Sequence, residues 1–225
     1  MNITRLVLAS NSPRRQEMVR WLALPYRVQA AVVDESSSPV ETPWEYVVRL
    51  AQRKAEAVQP DARSGELIMA ADTIVVDGKD LLGKPESPEA ARTMLKRLRG
   101  RSHQVYTAVC LIAAETGQVF SDYCVSQVPM REYTDLEIEA YIASGDPFDK
   151  AGGYAIQNPQ FRPVLNFSQC YACVMGLPLC HLVRLLAQIG PTFQACPPTL
   201  CRHHLGYECT FYGKILNSAQ IGKTP

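Results

Sequence analysis

The sequence predicts an α/β fold built on a mixed, twisted sheet with flanking helices. Three observations carry that reading. Short apolar runs alternate with helical patterns over roughly the first hundred residues, as strand–helix–strand units do. Two longer apolar runs, residues 105–114 and 118–128, flank Glu-Thr-Gly and read as an antiparallel hairpin. Helix starts are written in capping chemistry at Ser12-Pro13, at Ser87-Pro88 and in the box Thr134-Asp-Leu-Glu137.

Taken in order, residues 3–9 read as a short buried strand. Ser12 then offers an N-cap and Pro13 a first helical residue, so a helix runs through Met18 and Trp21 and stops before Pro25. Residues 26–33 read as a second strand, and Asp34-Glu35-Ser-Ser-Ser-Pro as a polar loop. Residues 43–58 form a long amphipathic helix, with Tyr46, Val47, Leu50, Ala51 and Ala55 at helical spacing. Residues 67–76 make an apolar strand, ended by the Asp77-Gly78 turn. The helix opened by Ser87-Pro88 ends near Gly100, and the one opened by the Thr134 box ends near Gly145. Residues 146–157 break periodicity with Gly and Pro and read as a loop leading into a short strand. Residues 177–189 form a last helix, stopped by Gly190-Pro191. The composition then shifts, so residues 1–190 read as one domain and residues 191–225 as a C-terminal extension carrying Cys and His.

A chain of 225 residues is long enough to bury a core without staples. With 47% hydrophobic and 20% charged residues, it is not a disordered chain. Lys+Arg 23 against Asp+Glu 22 leaves a net charge of +1, so no global basic field points to nucleic acid or an anionic membrane. No run approaches the ~20 apolar residues of a membrane helix, and MNITRLVLASNSPRR is too short in its apolar part for a signal peptide. The expectation is a cytoplasmic protein with no nucleic-acid or membrane partner, whose eight cysteines are reduced thiols.

The sharpest chemical feature is Ser10-Asn11-Ser12-Pro13-Arg14-Arg15 between a strand and a helix. A helix N-terminus already carries about half a positive charge. Two arginines added there suit an anion, phosphate best of all; the competing reading is a solvated pair satisfied by Glu17 or nearby acids. Asp72-Thr73 interrupts an apolar strand. A carboxylate inside such a strand is costly unless paired or metal-bound, so Asp72 is either functional or half of a buried ion pair with an arginine. Lys54 lies near the end of the long helix, and Gly83-Lys84-Pro85 is a turn presenting a lysine. Glu35 alone would read as a solvated loop residue. Asp146, Asp149 and Lys150 alone would read as a turn with local ion pairs.

At these residues the chain resembles the Maf proteins, nucleoside triphosphate pyrophosphatases related in fold to the inosine triphosphatase type. The matching stretches are LASNSPRR (8–15), VDE (33–35), YVVRLAQRKA (46–55), ADTIVVDG (71–78), GKPESPEAARTMLKRLRGRSHQVYTAV (83–109), EIEAYIASGDPFDKAGGYAIQ (137–157) and VMGLPLCHLVRLL (174–186). The resemblance implies two lobes around a cleft, a nucleoside triphosphate split into monophosphate and pyrophosphate, a divalent metal (Mg²⁺ or Mn²⁺), and a homodimer. By family position it makes Asp72 the general base or water-orienting carboxylate and gives Glu35 and Asp72 the metal. It assigns Ser10, Arg14, Arg15, Lys54 and Lys84 to the substrate. Arg14, Thr73 and Gln157 match the Arg, Thr and Gln of the branch acting on dTTP and UTP, with modified nucleotides of that kind as a further substrate class. The physical demands agree: attack at the α-phosphorus needs charge neutralisation, an oriented water and a base.

The chain departs from the family pattern between Asn158 and Cys173, close to the expected base pocket, so the departure bears on specificity more than on catalysis. Cys170, Cys173, Cys180, His181, Cys196, Cys201, His203, His204 and Cys209 are zinc-ligand types, but their spacing matches no standard finger, and packing thiols are the better reading. The second function class is a nucleotide-binding regulator of cell division without catalytic activity. The filled catalytic positions argue against it.

Overall fold

The first strand, β1 (Arg5–Leu8), lies between β2 (Tyr26–Val28) and β3 (Glu66–Asp77) and runs parallel to both. The computed structural model describes residues 3–36, 38, 40–190 and 195–217. Pro191 of the expected helix stop, Ser37 and Pro39 of the polar loop, and part of the expected extension lie outside these residues. A short hairpin partner, β4 (Asp80–Leu82), returns antiparallel along the end of β3. Next come β5 (Ser102–Ala113) and β6 (Val119–Pro129), both antiparallel to their neighbours, in the order β2-β1-β3-β5-β6. The sheet is therefore mixed, as the alternating and hairpin patterns required.

One feature of the register makes the cleft. Along one edge, β5 pairs with β3 from Leu67 to Val76. Along the other edge, β1 pairs only with residues 66–69 and β4 only with residues 75–77. Among the described residues, the middle of β3, with Asp72 and Thr73, has no strand partner on that side. Backbone and side chains there open onto a cavity of about 610 Å³.

Alternation along β3 sends neighbouring residues to opposite faces. Ile68, Ala70, Ile74 and Val76 pack with α2 (Pro43–Glu56), whose Val47, Leu50, Ala51 and Ala55 are buried against them. Leu67, Met69, Ala71 and Val75 join the larger core on the other face. That core holds α1 (Pro13–Arg20), α3 (Pro88–Leu98), α4 (Asp135–Ala143), α5 (Tyr171–Met175) and α6 (Leu179–Ile189). Each fully buried Leu or Val contributes about 1.5–3 kcal/mol, so both helical layers are held by their apolar stripes. The caps fall where the residues set them. Ser12 and Ser87 accept from the third residue of their helices, and Thr42 and Thr134 close reciprocal boxes with Glu45 and Glu137.

Several expectations are corrected. The second strand stops at Val28, because only β1 pairs with it and β1 ends at Leu8. The expected short strand around residue 157 does not form. Asp146–Asp149 and Ala151–Gly153 are 3-10 turns, and residues 156–157 form a turn. The last helix starts at Leu179, since Gly176 ends α5 with a positive φ of 103°. Beyond residue 194, α7 (Pro197–Leu205) packs on the larger core through Leu200, Cys201 and Leu205, and Phe211, the residue before α8 (Tyr212–Leu216), packs there too. Among the described residues, no helix is long and apolar enough to cross a membrane.

Candidate active site

The cleft is built from three directions. The first is the turn from β1 into α1. Ser12, the N-cap, accepts from Arg15 N, and Pro13 sets the first helical residue. This brings Arg14 and Arg15 to the cleft wall. Arg15 is anchored there: Nε donates to Gly176 O at 2.8 Å, Nη2 to Thr73 Oγ1 at 2.9 Å and Nη1 to Ser10 Oγ at 3.4 Å. Further N–H bonds of its fork remain. Burial pulls its pKa below the usual arginine range, with Asp72 opposing. Gly176 is required at this point. A Cβ there would sit 3.3 Å from Thr73 Oγ1 and 3.5 Å from Arg15 Nε, on a backbone already at positive φ.

The second direction is α2. Tyr46, Leu50 and Lys54 are four residues apart and line the cleft as one stripe. Tyr46 OH donates to Glu35 O at 2.6 Å, and Arg49 Nη2 donates to Ser36 O at 3.1 Å. The helix thus holds the polar loop over its own lysine. Lys54 Nζ meets Glu35 Oε1 and Asp72 Oδ1, both at 2.6 Å.

The third is the unpaired middle of β3. Asp72 faces α2 and Lys54; Thr73 faces the other way, to Arg15 and Thr107. Thr107 Oγ1 lies 3.0 Å from Thr73 Oγ1 and donates to Cys173 O at 2.8 Å. Asp72 is buried, at 6% exposure. Burial raises its pKa above the ordinary carboxylate value, opposed by Lys54 and Arg15. Lys84 reaches the cleft from the turn after β4, with no ion pair among the described residues.

Arg14, Arg15, Glu35, Lys54, Asp72, Thr73 and Lys84 therefore line one cavity. Ser10 lies behind it, against Arg15. Gln157 is not in the lining, and its Oε1 is buried without a hydrogen-bond partner, as is Nε of Arg14. Buried orphan polar atoms are uncommon in folded proteins. Lys150 also lines the cleft, but its ammonium is committed to Asp146 and Asp149, so the local-ion-pair reading accounts for its charge. Among the described residues, no group of three or more His, Cys, Asp or Glu is placed to hold a metal. Cys170, Cys173, Cys180 and Cys201 are buried and free.

A family model described as Maf-like protein matches residues 5–189. The chain belongs to the Maf family. Curated Maf relatives include the dTTP/UTP pyrophosphatase of Dehalococcoides mccartyi, 42% identical over 84% of this chain and 84% of that protein. The dTTP/UTP pyrophosphatase of Thermomicrobium roseum is 44% identical over 85% of this chain and 93% of that one. Among solved structures, the Staphylococcus aureus Ham1 protein gives a TM-score of 0.41 at 17% identity, over 56% of this chain and 71% of that one. Within the Maf chain, sequence reasoning passed over Tyr46, Thr107 and Gly176. Thr107 carried the same signal as Asp72, a polar residue in an apolar strand. Tyr46 and Gly176 carried none, because their roles depend on which loop and which arginine the fold sets beside them.

Proposed function

We propose that this protein is a nucleoside triphosphate pyrophosphatase that hydrolyses dTTP and UTP, and modified nucleotides of that kind, to the monophosphate and pyrophosphate. The observation that carries the reading is the meeting of Asp72 and Glu35 on Lys54 in a cavity that Arg14, Arg15 and Lys84 also line. Opposite charges are gathered in one place, as attack on a polyanion demands. The names of the Maf relatives support the enzyme reading, and no observation favours the catalytically silent regulator.

Asp72 orients the attacking water and takes its proton. Its carboxyl is held above the ordinary carboxylate value by burial, which brings it closer to the working range of a general base. The water oxygen bonds to the α-phosphorus as the bond to the β-bridging oxygen breaks, and pyrophosphate leaves. Lys54, Lys84 and the arginines neutralise the charge that collects on the leaving group. Arg15, tethered by Ser10, Thr73 and Gly176, keeps its charge in place without reorganisation. Glu35 and Asp72 would hold Mg²⁺ or Mn²⁺. The donor set fits, since two carboxylates already converge on one cation, and Mg²⁺ needs only one or two alongside phosphates. Such an ion supplies further charge neutralisation on the triphosphate.

Gln157 and Arg14, with Thr73, read the base. An amide offers both donor and acceptor to the imide edge of uracil or thymine, and the orphaned Gln157 Oε1 and Arg14 Nε are polar atoms awaiting a partner. Acting on free nucleotides, the enzyme is soluble and cytoplasmic, needs no nucleic acid or membrane, and works as a homodimer. The test is pyrophosphate release from dTTP, UTP, CTP and GTP with Mg²⁺. Expected is faster release from dTTP and UTP; a panel led by CTP or GTP overturns the pyrimidine reading, and no release from any of the four overturns the enzyme.

A further inference from the structure

The turn between α4 and Gln157 is organised around one carboxylate that touches nothing in the catalytic group. Asp146 Oδ2 accepts from Tyr141 OH at 2.6 Å and from Asn158 Nδ2 at 3.1 Å, while Oδ1 accepts from Lys150 Nζ at 2.9 Å. Each partner grips the chain again. Tyr141 OH accepts from Ala155 N at 2.9 Å. Asn158 N donates to Ala155 O at 3.1 Å, and Asn158 Oδ1 accepts from Phe161 N at 2.8 Å and Gln160 N at 3.1 Å. Lys150 Nζ returns to Asp146 O at 2.6 Å.

The stretch so gripped is the one that carries Gln157. Ala155 is held from Tyr141, and Asn158, the residue after Gln157, is held from Asp146 directly. A glutamine between two fixed backbone points has its Cα, and so the reach of its amide, set before any ligand arrives. Tyr154, next to Ala155 in the chain, lines the same cavity as Arg14. Two of the four orphaned buried polar atoms among the described residues belong to Arg14 and Gln157, so the clamp ends where unmet hydrogen-bonding capacity begins.

We propose that Asp146 is a positioning residue for base selection: through Tyr141 and Asn158 it presets Gln157 against the pyrimidine edge of the nucleotide. The proposal rests on the pyrimidine reading above. It separates base selection from phosphate binding, since Arg15, Lys54 and Lys84 reach the cavity from α1, α2 and the β4 turn, while Gln157 is carried by a loop with its own anchor. Preset polar groups discriminate because they cannot relax around the wrong base.

The experiment uses the full chain, Tyr141→Phe and Asp146→Asn. The first removes one hydroxyl and keeps the ring stacked on Phe161, at a centroid distance of 4.2 Å. Each protein is assayed for kcat/KM on dTTP and CTP, and for inhibition by inorganic tripolyphosphate, which carries the charge but no base. In both variants the dTTP/CTP ratio should fall about tenfold, the worth of one hydrogen bond of ~1.4 kcal/mol, while tripolyphosphate inhibits as in wild type. An unchanged ratio overturns the proposal. So does a matching loss of tripolyphosphate inhibition in both variants, which would mean general damage to the cleft. A wild-type enzyme with no preference for dTTP removes the pyrimidine reading itself, a result visible before either variant is made.

Discussion

Replacing Lys54 with Met tests the electrostatics of the cleft directly. Methionine keeps the apolar stem on α2 and removes the ammonium that stands 2.6 Å from Asp72 Oδ1 and 2.6 Å from Glu35 Oε1. At an effective dielectric of about 20, one such contact attracts by roughly 6 kcal/mol before desolvation. Lost hydration of both groups offsets most of it. What remains is the usual influence of a touching opposite charge on a carboxyl, about 1–3 pH units, or about 1.4–4 kcal/mol. The Asp72 side chain is only 9% exposed, so water cannot replace the lost partner. The sign follows: without Lys54, the neutral acid is favoured and the proton is held to higher pH. Catalysis needs the ionised base. The acid limb of kcat/KM for dTTP should therefore move toward neutral pH by that amount, on top of a loss in plateau rate. The assay is pyrophosphate release across the pH range, with Lys54→Arg as the charge-keeping control. A Lys54→Met limb that overlays the wild-type limb would show that Lys54 does not govern the ionisation of Asp72.

Three further outcomes are expected. Asp72→Asn should lower turnover by ~10²–10⁴-fold, as loss of a base does, with a melting temperature equal to or above wild type, because burial penalises the ionised carboxylate in the folded state; a folded variant with normal turnover refutes the assignment. Arg14→Ala and Lys84→Ala should raise KM for triphosphates or lower turnover while melting near wild type, because Arg14 Nε has no hydrogen-bond partner and Lys84 no ion pair among the described residues to lose; normal triphosphate binding by both would remove them from the phosphate site. Glu66 is held at about 2, chiefly by the hydrogen bond from Arg27, which donates to both its oxygens. Its contribution is present in full above its ordinary value of 4.5 and is lost as pH falls toward 2. Glu66→Gln should thus cost roughly 1–2 kcal/mol at pH 7, and the gap to wild type in denaturant melts should close as the pH falls through that window.

Much of the frame was legible because its causes are local. Ser12, Ser87 and Thr134 start helices by bonding backbone a few residues away, and such chemistry is complete within one turn. The runs that became β3, β5 and β6 were long enough for alternation and apolar content to speak. Short elements were not. The three residues of β4 and the five of α5 carry too little pattern, and the second strand was cut to three residues by the length of its neighbour rather than by its own composition. The helices beyond residue 194 were missed because their apolar faces become readable only against the core they cover.

By itself the sequence determined which residue types are available and which turns present them: two arginines behind a helix cap, a carboxylate in an apolar strand, a lysine after a glycine, and the family to which their order belongs. Tertiary structure alone decided their partners. Strand alternation sends Asp72 to Lys54 and Thr73 to Arg15, but only the gap that β1 and β4 leave along β3 gives the pair a cleft to face. Tyr46 and Arg49 bring Glu35 onto a lysine nineteen positions along the chain, and Asp146 reaches the residues around Gln157 directly at Asn158 and through Tyr141 at Ala155. These are meetings between residues distant in the chain, and their geometry is set by packing and register, which no local pattern of side chains encodes.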